Sequence, residues 1–325
     1  MTVTSAQVAK AAGVSRATVS YVLNDAPGRV LSPETRETVL RVARELGYQP
    51  SALARSLKRG RSNAVLFPLN GVQPNHALSS VLDAVSDALA GHGFSLVREH
   101  SVHVDAAARA EAWAELAPAA VLDMVVRHDD EALELLRARG IPVLSSVLRG
   151  DKPWESSGDV FAREQRETQL QYLLDQGHRT VRWMRPSALP IDPRIEKALI
   201  TSMRRIAKAA GSTVEFLAVD LADVAEVVAG WTTLPDAIAA HNDAYAIAVL
   251  TALQARGVRV PDDVAVIGVD DEPLGRVVTP ALTTISGDFG PFAEAVAEGV
   301  TAVLAGRPAP ALPVPGHTLR VRSSA

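Results

Sequence analysis

Residues 4–24, TSAQVAKAAGVSRATVSYVLN, spell two short helices and the turn between them. Thr4 followed by Gln7 has capping-box spacing, in which the hydroxyl accepts from the third backbone N–H and the amide reaches back to the cap. Val8, Ala9 and Ala12 give this helix an apolar side, and Gly13 supplies the positive φ that ends a helix cheaply. Val14 staples the turn. Ser15 is an N-cap for a second helix from Arg16 to about Asn24, with Val19, Val22 and Leu23 at the spacing of a buried stripe. Two short helices joined by a tight glycine turn predict a helix-turn-helix.

Outward from that motif, Ser32 caps a third helix with Pro33 at its first position, Glu34 and Glu37 near its positive end, and Gly47 beyond its last turn. Val39, Val42, Ala43 and Leu46 form its inner stripe, so three helices share one small core. This head is basic. Residues 1–62 hold ten Lys or Arg against four Asp or Glu, a net of +6 in a chain whose total is −4. A basic head on an acidic body predicts that the head meets a polyanion.

In a helix-turn-helix the second helix enters the major groove, its early outward residues facing base edges and flanking hydroxyls facing phosphates. Arg16, Ala17 and Tyr21 are therefore the candidates for base contact, Arg16 through O6 and N7 of a guanine and Ala17 against a thymine methyl. Ser15, Thr18 and Ser20 carry hydroxyls suited to phosphate or sugar, with Thr4 and Asn24 at the two ends of the motif. The plainer reading makes Thr18 and Ser20 caps or surface residues and Arg16 an ordinary exposed charge.

Residues 4–24 together with LSPETRETVLRVARELGYQPSALARSLKRG at 31–60 resemble the DNA-binding head of the lactose-repressor (LacI/GalR) family, through the pattern A-x-x-A-G-V-S-x-x-T-V-S-x-V-L-N. Gln7 stands where that family usually has aspartate, and Tyr21 where arginine is common. The resemblance implies that residues 49–61 are a hinge which folds when two copies pair on DNA and push a leucine into the minor groove. The matching leucine is Leu57, with Ala54 and Leu53 on the pairing side and Arg55 and Lys58 near the backbone. A plain linker is the alternative.

Beyond Ser62 short apolar runs alternate with amphipathic helices, the signature of parallel sheets built from βαβ units. AVLFPL (64–69), FSLVREH (94–100), AAVLDMVV (119–126), IPVLSSV (141–147), TVRWMRP (180–186), DAIAAH (236–241) and DVAVIGVD (263–270) read as strands. Helices are expected over 79–92, 106–116, 130–139, 163–176, 194–210 and 243–256, and the last, 291–305, as a return to a first lobe. Two lobes leave a cleft at the carboxyl ends of their strands. The body is similar to the family's periplasmic-binding-protein-like effector domain at IPV (141–143), GHRTV (177–181), Arg194, HND (241–243), GVRVPDDVAVIGVDD (257–271) and PALTTI (280–285). By that similarity Arg194, Asn242 and Asp270 are effector contacts; read alone, they could be a helix-start cation, a helix cap and a turn. Phe161-Ala162 stands where the family usually has Asp-Asn, Leu221 replaces a frequent aromatic, and NGVQPNHALSS (70–80) is atypical; these changes remove polar groups from the cleft and leave open a sugar, another small metabolite or an inactive cleft.

The fold class expected is thus a small all-α helix-turn-helix head (1–48), a hinge (49–61) and an α/β periplasmic-binding-protein-like two-lobed effector domain (62–325), with lobe one about 62–160 and 290–325 and lobe two about 161–289. The function expected is a DNA-binding transcription regulator, read as a repressor. Its expected partners are a double-stranded operator, a small-molecule effector of sugar or other metabolite type, and a second copy in a homodimer, with pairing to a tetramer left open. No cofactor or metal is expected: the chain lacks cysteine, which removes disulfides and thiolate metal sites. Phosphate-loop, dinucleotide, nucleophile-elbow and H-E-x-x-H motifs are missing, so no catalytic residue is assigned. An α/β enzyme and a transport-associated binding protein are the rivals; the second needs an export signal where residues 1–20 show neither an apolar core nor a cleavage site. A cytoplasmic home without a membrane span is expected.

Overall fold

The computed structural model describes residues 3–24, 31–48, 56, 60–69, 75–100, 105–124, 130–145, 156–187 and 193–325. It divides into two units, residues 1–63 and 64–325. In the first unit α1 (Ser5–Ala11), α2 (Arg16–Asn24) and α3 (Pro33–Glu45) begin where their caps predict. Ser15 Oγ accepts from the Thr18 N–H at 3.1 Å and Ser32 Oγ from the Thr35 N–H at 3.2 Å, each satisfying a first-turn donor. Gln7 Oε1 reaches back to the Thr4 N–H at 2.8 Å. Gly13 and Gly47 leave α1 and α3 at φ +67° and +64°. Val8, Ala9, Val19, Val22, Val39, Val42 and Ala43 close the core between the three helices.

The second unit has two parallel four-stranded sheets. The first runs β2-β1-β3-β4 and comprises β1 (Ala64–Pro68), β2 (Ser95–Glu99), β3 (Ala120–Asp123) and β4 (Val143–Ser145). Val65 and Phe67 of β1 face α4 (His76–Gly91) and α11 (Gly290–Leu304), while Leu66 faces α5 (Ala106–Glu115) and α6 (Asp130–Ala138). A strand covered on both faces reads as a continuous apolar run, which is why AVLFPL lacks polar alternation. The second sheet runs β6-β5-β7-β8 and comprises β5 (Thr180–Arg185), β6 (Thr213–Ala218), β7 (Ala237–Ala240) and β8 (Ala265–Ile267). α7 (Ser157–Asp175) and α8 (Pro193–Ala209) cover one face, and α9 (Val224–Ala229) and α10 (Asp243–Ala255) the other.

β9 (Thr284–Asp288) leads out of the second lobe into α11, whose Phe292, Val296 and Val300 lie in the first lobe's core. β10 (Gly316–Arg320) returns antiparallel to β9, and the tail ends against β8: Ser324 Oγ accepts from the Thr283 N–H at 2.8 Å and donates to the Val266 carbonyl at 2.6 Å. Two helices start earlier than the sequence reading put them. Asn75 Oδ1 caps the Leu78 N–H at 2.9 Å, so α4 opens at His76 and not Ser79. Ser156 and Asp159 form a capping box, so α7 opens at Ser157 and not 163. β6, β9 and β10 were not among the predicted strands.

Candidate functional site

On α2, residues 16, 17, 20, 21 and 24 share one side of the helix, because positions one and four apart stay together at 3.6 residues per turn. The opposite side is Val19 and Val22, exposed by only 1% and 3%. Arg16 and Ala17 are exposed, and Thr18, Ser20 and Tyr21 are half-buried; Asn24 closes the helix and Thr4 caps α1. The hydroxyls of Ser15 and Thr18 lie 2.9 Å apart, so both serve the cap at the same time as they face outward. The predicted hinge residues Ala54, Leu57 and Lys58 lie outside the described residues.

In the second unit a cavity of about 250 Å3 opens between the lobes at the carboxyl ends of the strands. Asn242 and Asp270, two of the three predicted effector contacts, line it. Asn242 follows β7 and caps α10, its Oδ1 accepting from the Tyr245 N–H at 3.1 Å. Asp270 follows β8 in the left-handed region at φ +106°, its N–H donating to the Ile285 carbonyl at 2.8 Å. The third, Arg194, is exposed in the first turn of α8 and is not among the lining residues.

The cation in the cavity wall is Arg166, midway along α7 and only 7% exposed. Its Nη1 is buried without a hydrogen-bond partner among the described residues. Burial lowers the guanidinium below its usual range, and the charge of Asp270 opposes that shift. Burial pushes Asp270 up to about 6, with Arg166 pulling the other way. His241, beside Asn242, is lowered to about 3 by burial and then by Arg166 and Arg185, which keeps the imidazole neutral. Its Nδ1 also lacks a partner among the described residues. The sequence reading missed Arg166 and His241. A usable signal existed, since Arg166 stands on the buried stripe of α7 with Phe161, Gln165, Gln169, Leu170 and Leu173, where an arginine needs a reason to be.

Behind the cavity, Asp243 is buried at the start of α10, accepting from Thr284 Oγ1 at 2.6 Å and from the Glu272 N–H at 2.7 Å. Burial raises its carboxyl to about 7 despite those two bonds. Asp243 and Asp270 thus both hold protons in the folded state at pH values where the unfolded chain has released them, so stability falls as pH rises from about 4 to about 7. At about 1.4 kcal/mol per unit of pKa change, the two groups together make the expected loss several kcal/mol. Urea midpoints measured across that window check it, and Asp243→Asn should flatten the slope; an unchanged slope contradicts the assignment.

Among the described residues no group of His, Asp or Glu could hold a metal ion, and no helix is long and apolar enough to cross a membrane.

Comparison with known proteins assigns both units. Residues 6–51 match the family described as bacterial regulatory proteins, lacI family, and residues 170–325 match the periplasmic binding protein-like domain. The chain is 30% identical over 289 residues to the HTH-type transcriptional repressor PurR of Vibrio parahaemolyticus, covering 86% of this chain and 85% of that protein. It is 27% identical over 295 residues to the ribose operon repressor of Escherichia coli, covering 87% of each. The fold is shared with the lac repressor dimer bound to operator and the anti-inducer ONPF, at a TM-score of 0.74 and 21% identity over 100% of this chain and 99% of that one. With a helix-turn-helix in its first unit and an α/β cleft in its second, the chain belongs to the lacI family of bacterial regulatory proteins, as a DNA-binding transcription regulator with an effector-binding domain.

Proposed function

We propose that the protein is a cytoplasmic repressor that grips a near-palindromic operator as a homodimer and is controlled by a small molecule in the cleft. The exposed side of α2, in a chain whose first 62 residues carry a net charge of +6, carries this reading. Two copies of α2 enter successive major grooves about 34–36 Å apart. Arg16, Ala17 and Tyr21 read base edges, while Thr4, Ser15, Thr18, Ser20 and Asn24 meet the sugar–phosphate backbone. Domain boundaries follow: head 1–48, hinge 49–61, and effector domain 62–325. In the hinge, Leu57 is the minor-groove wedge, with Ala54 on the pairing side and Lys58 near a phosphate.

Asn242 and Asp270 contact the effector, and Arg194 is the third contact that the family resemblance implies. The ligand shifts the lobes between two arrangements that space the hinges differently, a coupling of about 1–3 kcal/mol. No catalytic role is assigned to the site.

Leu57→Ala tests the hinge. It is expected to weaken binding to the selected operator by about tenfold, the order of one lost base-step contact, while the melting temperature stays at the parent value. A variant that holds its operator as tightly as the parent removes the wedge.

A further inference from the structure

The cleft offers an unusual combination of walls and charge. Phe67, Leu78, Val85, Phe161, Phe289 and Phe292 surround a space of about 250 Å3, room for roughly eight water-sized groups. A sugar here could meet Asn75, Gln165, Asn242 and Asp270, but hydroxyls turned to the phenylalanines would be buried without partners, which opposes binding. A plain hydrocarbon would suit the walls but leave Arg166 as it stands, 7% exposed with Nη1 unpartnered. Asp270 is the charge that Arg166 feels, but it opposes the effect of burial only in part, since burial is the larger cause and the guanidinium stays lowered. His241 is neutral and adds no competing charge, and its unpartnered Nδ1 is a second polar point on the same wall.

Resting on the regulator reading above, we propose that the effector is an organic carboxylate with an apolar body, an aromatic or branched aliphatic acid, whose carboxylate sits on the Arg166 guanidinium and whose body lies among the phenylalanines. A planar guanidinium presents paired donors at the spacing of the two carboxylate oxygens, so the contact is directional as well as charged. The first lobe supplies Phe67, Leu78 and Val85 and the second supplies Phe161 and Arg166, so such an acid touches both lobes at once. That is the requirement for a ligand to favour one lobe arrangement over another.

Calorimetric titration of the full-length protein with 3-phenylpropionate, with 3-phenylpropanamide, and with D-ribose and cellobiose is the test. The acid is expected to bind about ten- to a hundredfold more tightly than the amide, the range for one hydrogen-bonded charge. Arg166→Met is expected to erase that preference, and Arg166→Lys to keep part of it. If Arg166→Met fails to fold, the acid–amide comparison on the parent and on Arg166→Lys still decides. Equal binding of acid and amide overturns the proposal, as does binding of a sugar with no binding of the acid. If no probe binds while site selection from random duplexes recovers an operator, the carboxylate proposal falls and the regulator reading stands. If no operator is recovered either, it is the regulator reading that fails.

Discussion

Replacing Gly268 with alanine is expected to cost about 3–5 kcal/mol of stability and to disorganise the cleft edge of the second lobe. Gly268 follows β8, at the point where the chain passes the first residue of α10. A methyl group there would collide with Asp243 Oδ1 and come within 3.1 Å of Leu282 Cδ2. Asp243 cannot swing aside, because Thr284 Oγ1 and the Glu272 N–H hold its two oxygens. The added carbon therefore either breaks a buried hydrogen bond to a carboxyl or pushes β8 away from α10. Either movement shifts Asp270, two residues on, and Asn242, one residue before Asp243, so the effector response should fade together with stability. Urea unfolding of Gly268→Ala checks the first effect; a loss under about 1 kcal/mol contradicts the packing described, since ordinary surface changes stay below that.

Arg16→Ala is expected to weaken binding to the selected operator by about 1–3 kcal/mol, some ten- to a hundredfold, while binding to unrelated duplex DNA changes little. The residue opens α2 on its exposed side, where a bidentate contact to guanine discriminates between base pairs. Loss of such a contact relaxes base choice at one position in each half-site and leaves the salt dependence close to the parent, because that dependence counts phosphate contacts. Anisotropy titrations at two salt concentrations, on the operator and on its single-base variants, separate the cases. A uniform loss on every sequence with a shallower salt slope would make Arg16 a phosphate contact.

The head was legible because its helices are short and punctuated: Thr4, Ser15, Ser32, Gly13 and Gly47 fix their ends, and Val19 with Val22 fixes which side of α2 is hidden. The central strands of the body were legible as apolar runs buried on both faces. β6 was not, since it lies at a sheet edge and alternates exposed and half-buried residues. β9 and β10 form a two-stranded sheet with each other, and Gly287, Gly316 and their polar neighbours weaken the strand signal. The start of α7 was hidden by Gly158 in its first turn, although Ser156 and Asp159 had capping-box spacing.

The cleft was half legible. Asn242 and Asp270 were placed by the family resemblance, their residues alone reading equally as a helix cap and a turn, whereas Arg166 sits inside a helix whose periodicity only shows that it is buried. What makes it a site residue is the absence of a partner for Nη1, a property of the packed structure rather than of spacing.

Selection of binding sites from random duplexes with the full-length protein, repeated at two salt concentrations, tests the central claim most directly. The account predicts a near-palindrome with a flexible pyrimidine–purine step at its centre, and a steep weakening as salt rises. Recovery of no enriched sequence, with or without added 3-phenylpropionate and sugars, would contradict it.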